Sequence, residues 1–339
     1  RFSSGFSNYL LVLMLYLSCM TMLMSGIAAN YEYDLKKIIA LSTLSQLGFM
    51  IMILSLGESS LAFFHLLTHA LFKALLFLCA GCMIHNMMNC QDIRWMGSLI
   101  NQVPLVICFF NISNLSLCGI PFLIGFYSKD LILDFMSMNY MSLFIYVLVY
   151  FSMGLTVSYS VRLSYYLLWG WFNFKTFFFL NNFNLKMLVG MGGLMFMVIF
   201  GGGMMNWFIF PLPYFICLPL MMKVMILFFI LLGLFFGLEL SFLNLSINLI
   251  SMNMLTSSLF FSSMFNLSLI SIYGLNNYFL GLGNYFYKFF DLGWFEYYGS
   301  QNIYFKLKSN SSFYQFLSKN SLKIYLLLFV FWIIFLFFF

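Results

Sequence analysis

Charge is the scarcest property of this sequence. Asp, Glu, Lys and Arg make up 7% of its 339 residues, against roughly a quarter in a soluble domain. A chain that is 63% hydrophobic and 22% aromatic, with a mean hydropathy of +0.99, is an integral membrane protein, so length does not count domains here. The formal net charge is +6, yet the basic residues are scattered, and no basic run or basic-aromatic patch points to nucleic acid. No glycine-rich GxGxxG turn follows a strand, which excludes a dinucleotide fold. No set of four cysteines has cluster-ligand spacing, which excludes an iron–sulfur site. The seven cysteines, Cys19, Cys79, Cys82, Cys90, Cys108, Cys118 and Cys217, are spread through or beside apolar segments and imply no disulfide framework. Cys79 and Cys82 form a CxxC inside an apolar run without a second pair, so they read as small packing residues. No internal repeat is visible.

What the chain has instead is long apolar runs. A helix needs about 20 apolar residues to cross a bilayer, and only helices satisfy their own backbone at that density in lipid. Candidate spans are 9–29, 37–56, 61–85, 103–127, 141–169, 187–210, 220–243 and 323–339. The expected fold is an all-α polytopic membrane bundle. The first residue is Arg1, and the 9–29 run is longer than the ~7–15-residue core of a signal peptide; the chain is expected to lack its true N-terminus. Abundant Phe, Met and Tyr suit an AT-rich mitochondrial gene. Lys and Arg do not separate between alternate loops, so charge bias alone assigns no topology.

One run breaks its own hydropathy. "LAFFHLLTHALFKALLFL", residues 61–78, carries His65, His69 and Lys73 four residues apart. That spacing puts all three on one side of a helix, over about 12 Å at 1.5 Å per residue. Ionisable groups in a span cost several kcal/mol each and mark function by default. Histidine titrates near neutrality, and burial brings lysine toward it, so the pattern fits a proton relay. Two other readings stay open: interhelical hydrogen bonding, and a metal site on His65-x3-His69, although no carboxylate or thiolate stands beside it.

The fourth span, "VPLVICFFNISNLSLCGIPFLIGFYSKD", is interrupted by Gly119, Pro121 and Gly125, with Lys129 and Asp130 directly after the break. Broken helices at membrane depth are tolerated where freed backbone faces protein or water. Lys129 reads either as a proton carrier or as an interfacial lysine reaching to headgroups. Lys36 and Lys37 open the second span, followed by Ser42, Thr43, Ser45 and Gln46, a polar stripe for water or for helix contacts. Asp92 and Arg94 read as a loop ion pair, and Lys223 and Glu239 as groups near the two ends of the seventh span. Residues 244–281 are mixed and weakly periodic; residues 282–322 place Lys288, Asp291, Glu296, Lys306, Lys308 and Lys319 among aromatics, the pattern of a helix lying along a surface.

The stretches "YEYDLKKIIALSTLSQLGFM", "FFHLLTHALFKALLFLCAGCMIHN", "QDIRWMGSL", "GIPFLIGFYSKD", "TVSYSVRL" and "NSLKIYLLLFVFW" closely resemble the chain 5 family of mitochondrial NADH:ubiquinone oxidoreductase, respiratory complex I, insect versions most of all. The resemblance covers essentially the whole chain. It implies an antiporter-like bundle, with 1–170 as the second repeat and 103–134 as its broken helix, two further spans in 171–243, a connecting segment and lateral amphipathic helix in 244–322, and an anchor helix in 323–339. It implies proton transfer through Lys129, Asp130, His65, His69, Lys73 and Lys37 in the mitochondrial inner membrane, beside the other membrane-arm subunits. It also implies that NADH, FMN, iron–sulfur clusters and ubiquinone belong to other subunits, with no cofactor or metal bound here. The family's first repeat has no counterpart in this sequence, so a fragment is expected. Two rival readings are a bacterial-type Na⁺/H⁺ antiporter subunit and a chain that mainly clamps the membrane arm through its lateral helix.

Overall fold

A computed structural model describes residues 3–139, 142–174, 185–242, 254–267, 269–319 and 321–338. These residues are helical with no strand; one isolated bridge joins Asp34 and Asp92. The chain divides into two compact units, 1–266 and 267–339.

In the first unit, α1 is Asn8–Tyr31, α2 Leu35–Ser55, α3 Ser59–Asn86, α4 the single turn Leu99–Gln102, α5 Pro104–Cys118, α6 Ile124–Met138, α7 Leu143–Ser164, α8 Leu185–Ile209 and α9 Leu220–Phe242. Six described helices are long and apolar enough to cross a membrane: α1, α2, α3, α7 with its continuation to Trp169, α8 and α9. The run 103–127 expected as one span is two helices, α5 and α6, with Lys129 inside the second. Pro104 starts α5 and Gly119 ends it at φ +83°, the left-handed conformation that costs an L side chain most. Pro121 follows two residues later and offers no N–H to continue the ladder. The expected end points 141, 243 and 339 lie outside the described residues.

Helices α8 and α9 pack on the earlier bundle, α8 against α3 and α9 against α7. One apolar core runs between α2, α3, α5 and α8, through Ile38, Phe72, Leu76, Phe110 and Val198. A second joins α1, α2, α6, α7 and α9, through Met22, Phe49, Leu133, Tyr150 and Ile226. Close approach of α7 and α9 rests on two small positions: a Cβ at Gly237 would come within 2.6 Å of the Ser158 carbonyl, and one at Gly233 within 2.9 Å of Val157.

The second unit is a nearly continuous helix followed by Leu322–Phe338. The described helix runs from Leu269, well before residue 282, to Ser318. Glycine at 274, 281 and 283 does not stop it, because glycine weakens a helix by about 1 kcal/mol without removing its N–H. It passes through wider π-type turns at Leu269–Tyr273, Tyr287–Phe295 and Tyr297–Gln301. Rings four residues apart stack along it, Tyr285 on Phe289 and Trp294 on Tyr298. Residues 243–253 of the expected connecting segment lie outside the described residues.

Candidate functional site

The α5–α6 break creates the site from backbone outward. In an unbroken helix the Leu117 carbonyl would accept from the N–H of residue 121, four residues on. Residue 121 is proline, so that acceptor is orphaned. Lys129 Nζ donates to it. The lysine is 2% exposed, so its ammonium is held between a carbonyl freed by the break and the bundle interior. Gly125 lets α6 return this closely, because a Cβ there would collide with the Ser116 carbonyl.

Helix α3 faces this lysine with the predicted line. His65 is fully buried, and its Nδ1 lies 3.0 Å from Ser128 Oγ, on the residue preceding Lys129. Thr68 Oγ1 lies 2.9 Å from the His65 carbonyl and 3.1 Å from the same Ser128 hydroxyl, which fixes the α3–α6 contact. His69 is one turn on, 6.2 Å from His65 between ring centroids. Phe49 and Phe72 meet the two rings edge-on and hold their planes. Nε2 of both histidines is buried without a hydrogen-bond partner. Such an atom costs about 1–3 kcal/mol unless something fills its coordination. Lys73 closes the line at 4% exposure, with Nζ donating to Ser42 Oγ on α2. Ser42 in turn donates to the Ile39 carbonyl at 2.7 Å, and Gln46, one turn along, has its Oε1 buried without a partner. Ser42, Ser45 and Gln46 are all buried, and Ser42 is the one that meets Lys73, whereas Thr43 turns outward and donates to the Ala40 carbonyl.

Asp130 is half-buried beside a small cavity lined by Lys129, Gly119, Tyr150, Met153 and α9 side chains including Ile226 and Phe229. Its volume of about 10 Å³ holds about one water. Lys37 stands apart from this array. Its side chain is 62% exposed and pairs with Asp34 at 2.9 Å and Glu32 at 3.8 Å, at the turn between α1 and α2. The structure thus brings His65, His69, Lys73, Lys129 and Asp130 into one interior and leaves Lys37 at its rim.

The remaining sequence readings fall as follows. Asp92 and Arg94 form a 3.7 Å pair. Lys223 and Glu239 occupy the first and last turns of α9, both exposed. Cys79 and Cys82 are free and pack their sulfurs 3.7 and 3.9 Å from the Met191 sulfur. Among the described residues no three His, Cys, Asp or Glu side chains gather as metal ligands. Asn114, counted only as polarity in the fourth span, donates to the Ser160 carbonyl of α7 at 2.8 Å. Sequence reasoning missed Ser128, whose only signal was its place next to Lys129. It also missed Arg162, a charge in "TVSYSVRL" that is 4% exposed and donates to the Asn30 carbonyl.

Comparison with known proteins identifies the relatives of this chain. The family described as NADH:quinone oxidoreductase/Mrp antiporter, transmembrane, matches residues 2–156, and the family described as NADH dehydrogenase subunit 5 C-terminus matches residues 159–339. NADH-ubiquinone oxidoreductase chain 5 of Anopheles quadrimaculatus is 51% identical over 95% of this chain and 56% of its own length. The same chain of Anopheles gambiae is 50% identical over 98% of this chain and 58% of its own. The chain therefore spans a little over half the length of these relatives. Among solved structures, a chain of the Mrp complex from Dietzia sp. shares the fold at TM-score 0.60 and 18% identity, over 81% of this chain and 30% of that one.

Proposed function

This chain belongs to the NADH dehydrogenase subunit 5 family, and from that premise we propose that it is a core membrane subunit of respiratory complex I, moving protons across the mitochondrial inner membrane as the enzyme passes electrons from NADH to ubiquinone. NADH, FMN, the iron–sulfur clusters and ubiquinone are handled by neighbouring subunits, and this chain works without a redox group of its own. The observation that carries the reading is the 3.0 Å hydrogen bond between His65 Nδ1 and Ser128 Oγ, which joins the α3 line to the residue beside Lys129.

A proton enters on Lys73, where Ser42 orients the ammonium. It leaves Lys73 for His69, and from there reaches His65. The ring separation of 6.2 Å is too long for a direct hydrogen bond, so a water carries that step, accepting or donating at the two unpartnered Nε2 atoms. Uptake at one ring nitrogen of His65 and release from the other passes the proton to the Ser128 hydroxyl, and a water carries it from there to Lys129. Lys129 holds it against the Leu117 carbonyl, with Asp130 and the adjoining cavity as the way out. Changes elsewhere in the complex drive the cycle by altering the electrostatic cost of keeping these buried ammonium groups charged. Lys37 and its carboxylates sit where protons gather before entry.

The test uses the assembled complex. His69→Ala and Lys73→Met are introduced separately, and quinone reduction and proton pumping are measured together after assembly is verified. Fewer protons per electron with assembly intact is the expected result. Normal values for both quantities in both variants would return the line to a packing role.

A further inference from the structure

A second concavity lies away from the proposed proton path. Its volume is about 360 Å³, and Tyr33, Arg94, Tyr165, Tyr166, Trp171 and Asn173 line it. Four chain segments meet there: the α1–α2 turn, the loop after α3, the end of α7 with its continuation, and the last turn of α9. In an up-and-down bundle these are ends on one membrane face, so the concavity sits at a bilayer boundary. Trp169 and Trp171, 69% and 87% exposed, stand beside it, the belt position for tryptophan.

The backbone fixes the cation. Leu35 N–H donates to the Gln91 carbonyl at 2.9 Å, and Ile93 N–H donates to the Tyr33 carbonyl at 3.0 Å. These bonds stitch the loop to the turn and set the Arg94 guanidinium 4.3 Å above the Tyr33 ring. Arg162 lies 4.6 Å from the same ring. One tyrosine therefore sits between two cations. The acidic groups near it are Glu32, Asp34 and Asp92. Lys37 pairs with the first two, Asp34 also lies within reach of the Arg94 charge, and Asp92 is the carboxylate paired with Arg94. Its contact with Arg94, 3.7 Å, is well beyond the ~2.7–2.9 Å of a charge-assisted hydrogen bond, and the Arg94 side chain is 55% exposed. Its planar fork is thus oriented by stacking and left short of a bidentate acceptor. A second group is also short of a partner: the Tyr166 hydroxyl is buried without a hydrogen bond of good geometry.

We propose that this concavity binds the phosphate of an anionic phospholipid headgroup, with Arg94 as the bidentate donor, Tyr33 as its platform, and Tyr166 and Asn173 as further polar contacts. Basic pockets at the ends of transmembrane helices take such headgroups. The size favours a lipid over a bare ion, since about 360 Å³ falls within the ~300–1,000 Å³ of organic ligand sites. Inorganic phosphate shares the recognition chemistry and is the competing source. The proposal is independent of the proton path.

The experiment uses delipidated complex containing the full-length chain, reconstituted with a photoactivatable phosphatidylglycerol or a photoactivatable phosphatidylcholine. Labelling of the peptide spanning residues 165–173 is then quantified. Preferential labelling by the anionic lipid is expected, with Arg94→Gln reducing it by about tenfold, the scale of a lost charged hydrogen-bond pair, and excess inorganic phosphate leaving it in place. Displacement by inorganic phosphate would overturn the lipid assignment in favour of the free anion. Equal labelling by the two lipids in the unmodified complex would overturn the site, and this arm needs no variant to fold. Unchanged labelling in an assembled Arg94→Gln complex would overturn the role of Arg94.

Discussion

At the scale of residues, the interior charges are specified by what each one touches. Lys129 is held by the Leu117 carbonyl, left free where Gly119 ends α5 and Pro121 offers no N–H to continue the helix. Replacing it with Met removes the titrating group and strands that carbonyl, at a cost of about 1–3 kcal/mol. Lys129→Met should lower the proton-to-electron ratio of an assembled complex; an unchanged ratio would remove Lys129 from the path. Lys37 behaves differently because it is solvated. Its hydrogen bond to Asp34 holds that carboxyl below the usual carboxylate range. A depressed carboxyl contributes stability above its unfolded value, about 3.9, and loses it as pH falls through the lower folded value. Because the pair is exposed, it is worth about 0.2–1 kcal/mol. Acid titration of thermal stability should thus show a small loss below about pH 4, which Asp34→Asn abolishes. An identical acid limb in the variant would count against the pair. His65, His69, Lys73 and Lys129 were legible as candidates in the sequence, because ionisable side chains in apolar runs are conspicuous. Their partners were not. Ser128 is an ordinary serine until the fold sets it against His65, and Ser42, legible as part of a polar stripe, gains its partner Lys73 only in the fold.

At the scale of elements, the break between α5 and α6 and the seam between α7 and α9 carry the architecture. Gly119 sits at φ +83°, where a side chain costs about 1–2 kcal/mol. Gly119→Ala should destabilise the complex by about that amount and shift the Lys129 contact, read as a lower melting temperature together with reduced pumping. Gly237 faces the Ser158 carbonyl with no room for a larger side chain. Gly237→Leu should cost about 1–3 kcal/mol or more through overpacking, read as loss of assembled complex on native gels; full assembly at normal yield would show that the seam can open. The broken helix was announced by Gly119, Pro121 and Gly125, since glycine and proline act on the backbone locally. The α7–α9 seam gave no such notice, because close packing of two helices distant in sequence is a property of both surfaces together. The long helix of the second unit was expected from 282 and is already present at Leu269, where mixed polarity concealed a backbone that glycine loosens without ending.

At the scale of the whole molecule, the two compact units invite separate tests. Proton transfer is proposed for residues within 1–266, and the rival clamp reading rests on residues beyond them. Deleting 282–319 in the full-length chain should reduce assembly while pumping per assembled complex stays at its normal ratio. A lowered ratio in the complexes that do form would place the helix in the transport cycle itself.

What the sequence determined by itself was the solvent and the class. A chain with 7% charged residues and runs of about twenty apolar ones has no stable fold outside a bilayer, and backbone hydrogen bonding then demands helices. The helical period also placed His65, His69 and Lys73 on one line before any fold was considered. Only the tertiary structure decided which way that line faces. It turned the line toward Ser42 and Ser128 and away from lipid, and it left Lys37 outside. It also set Arg94 and Arg162 around one tyrosine. Periodicity specifies the face of a helix, whereas the rotation of that face toward a partner depends on the packing of every neighbouring helix at once.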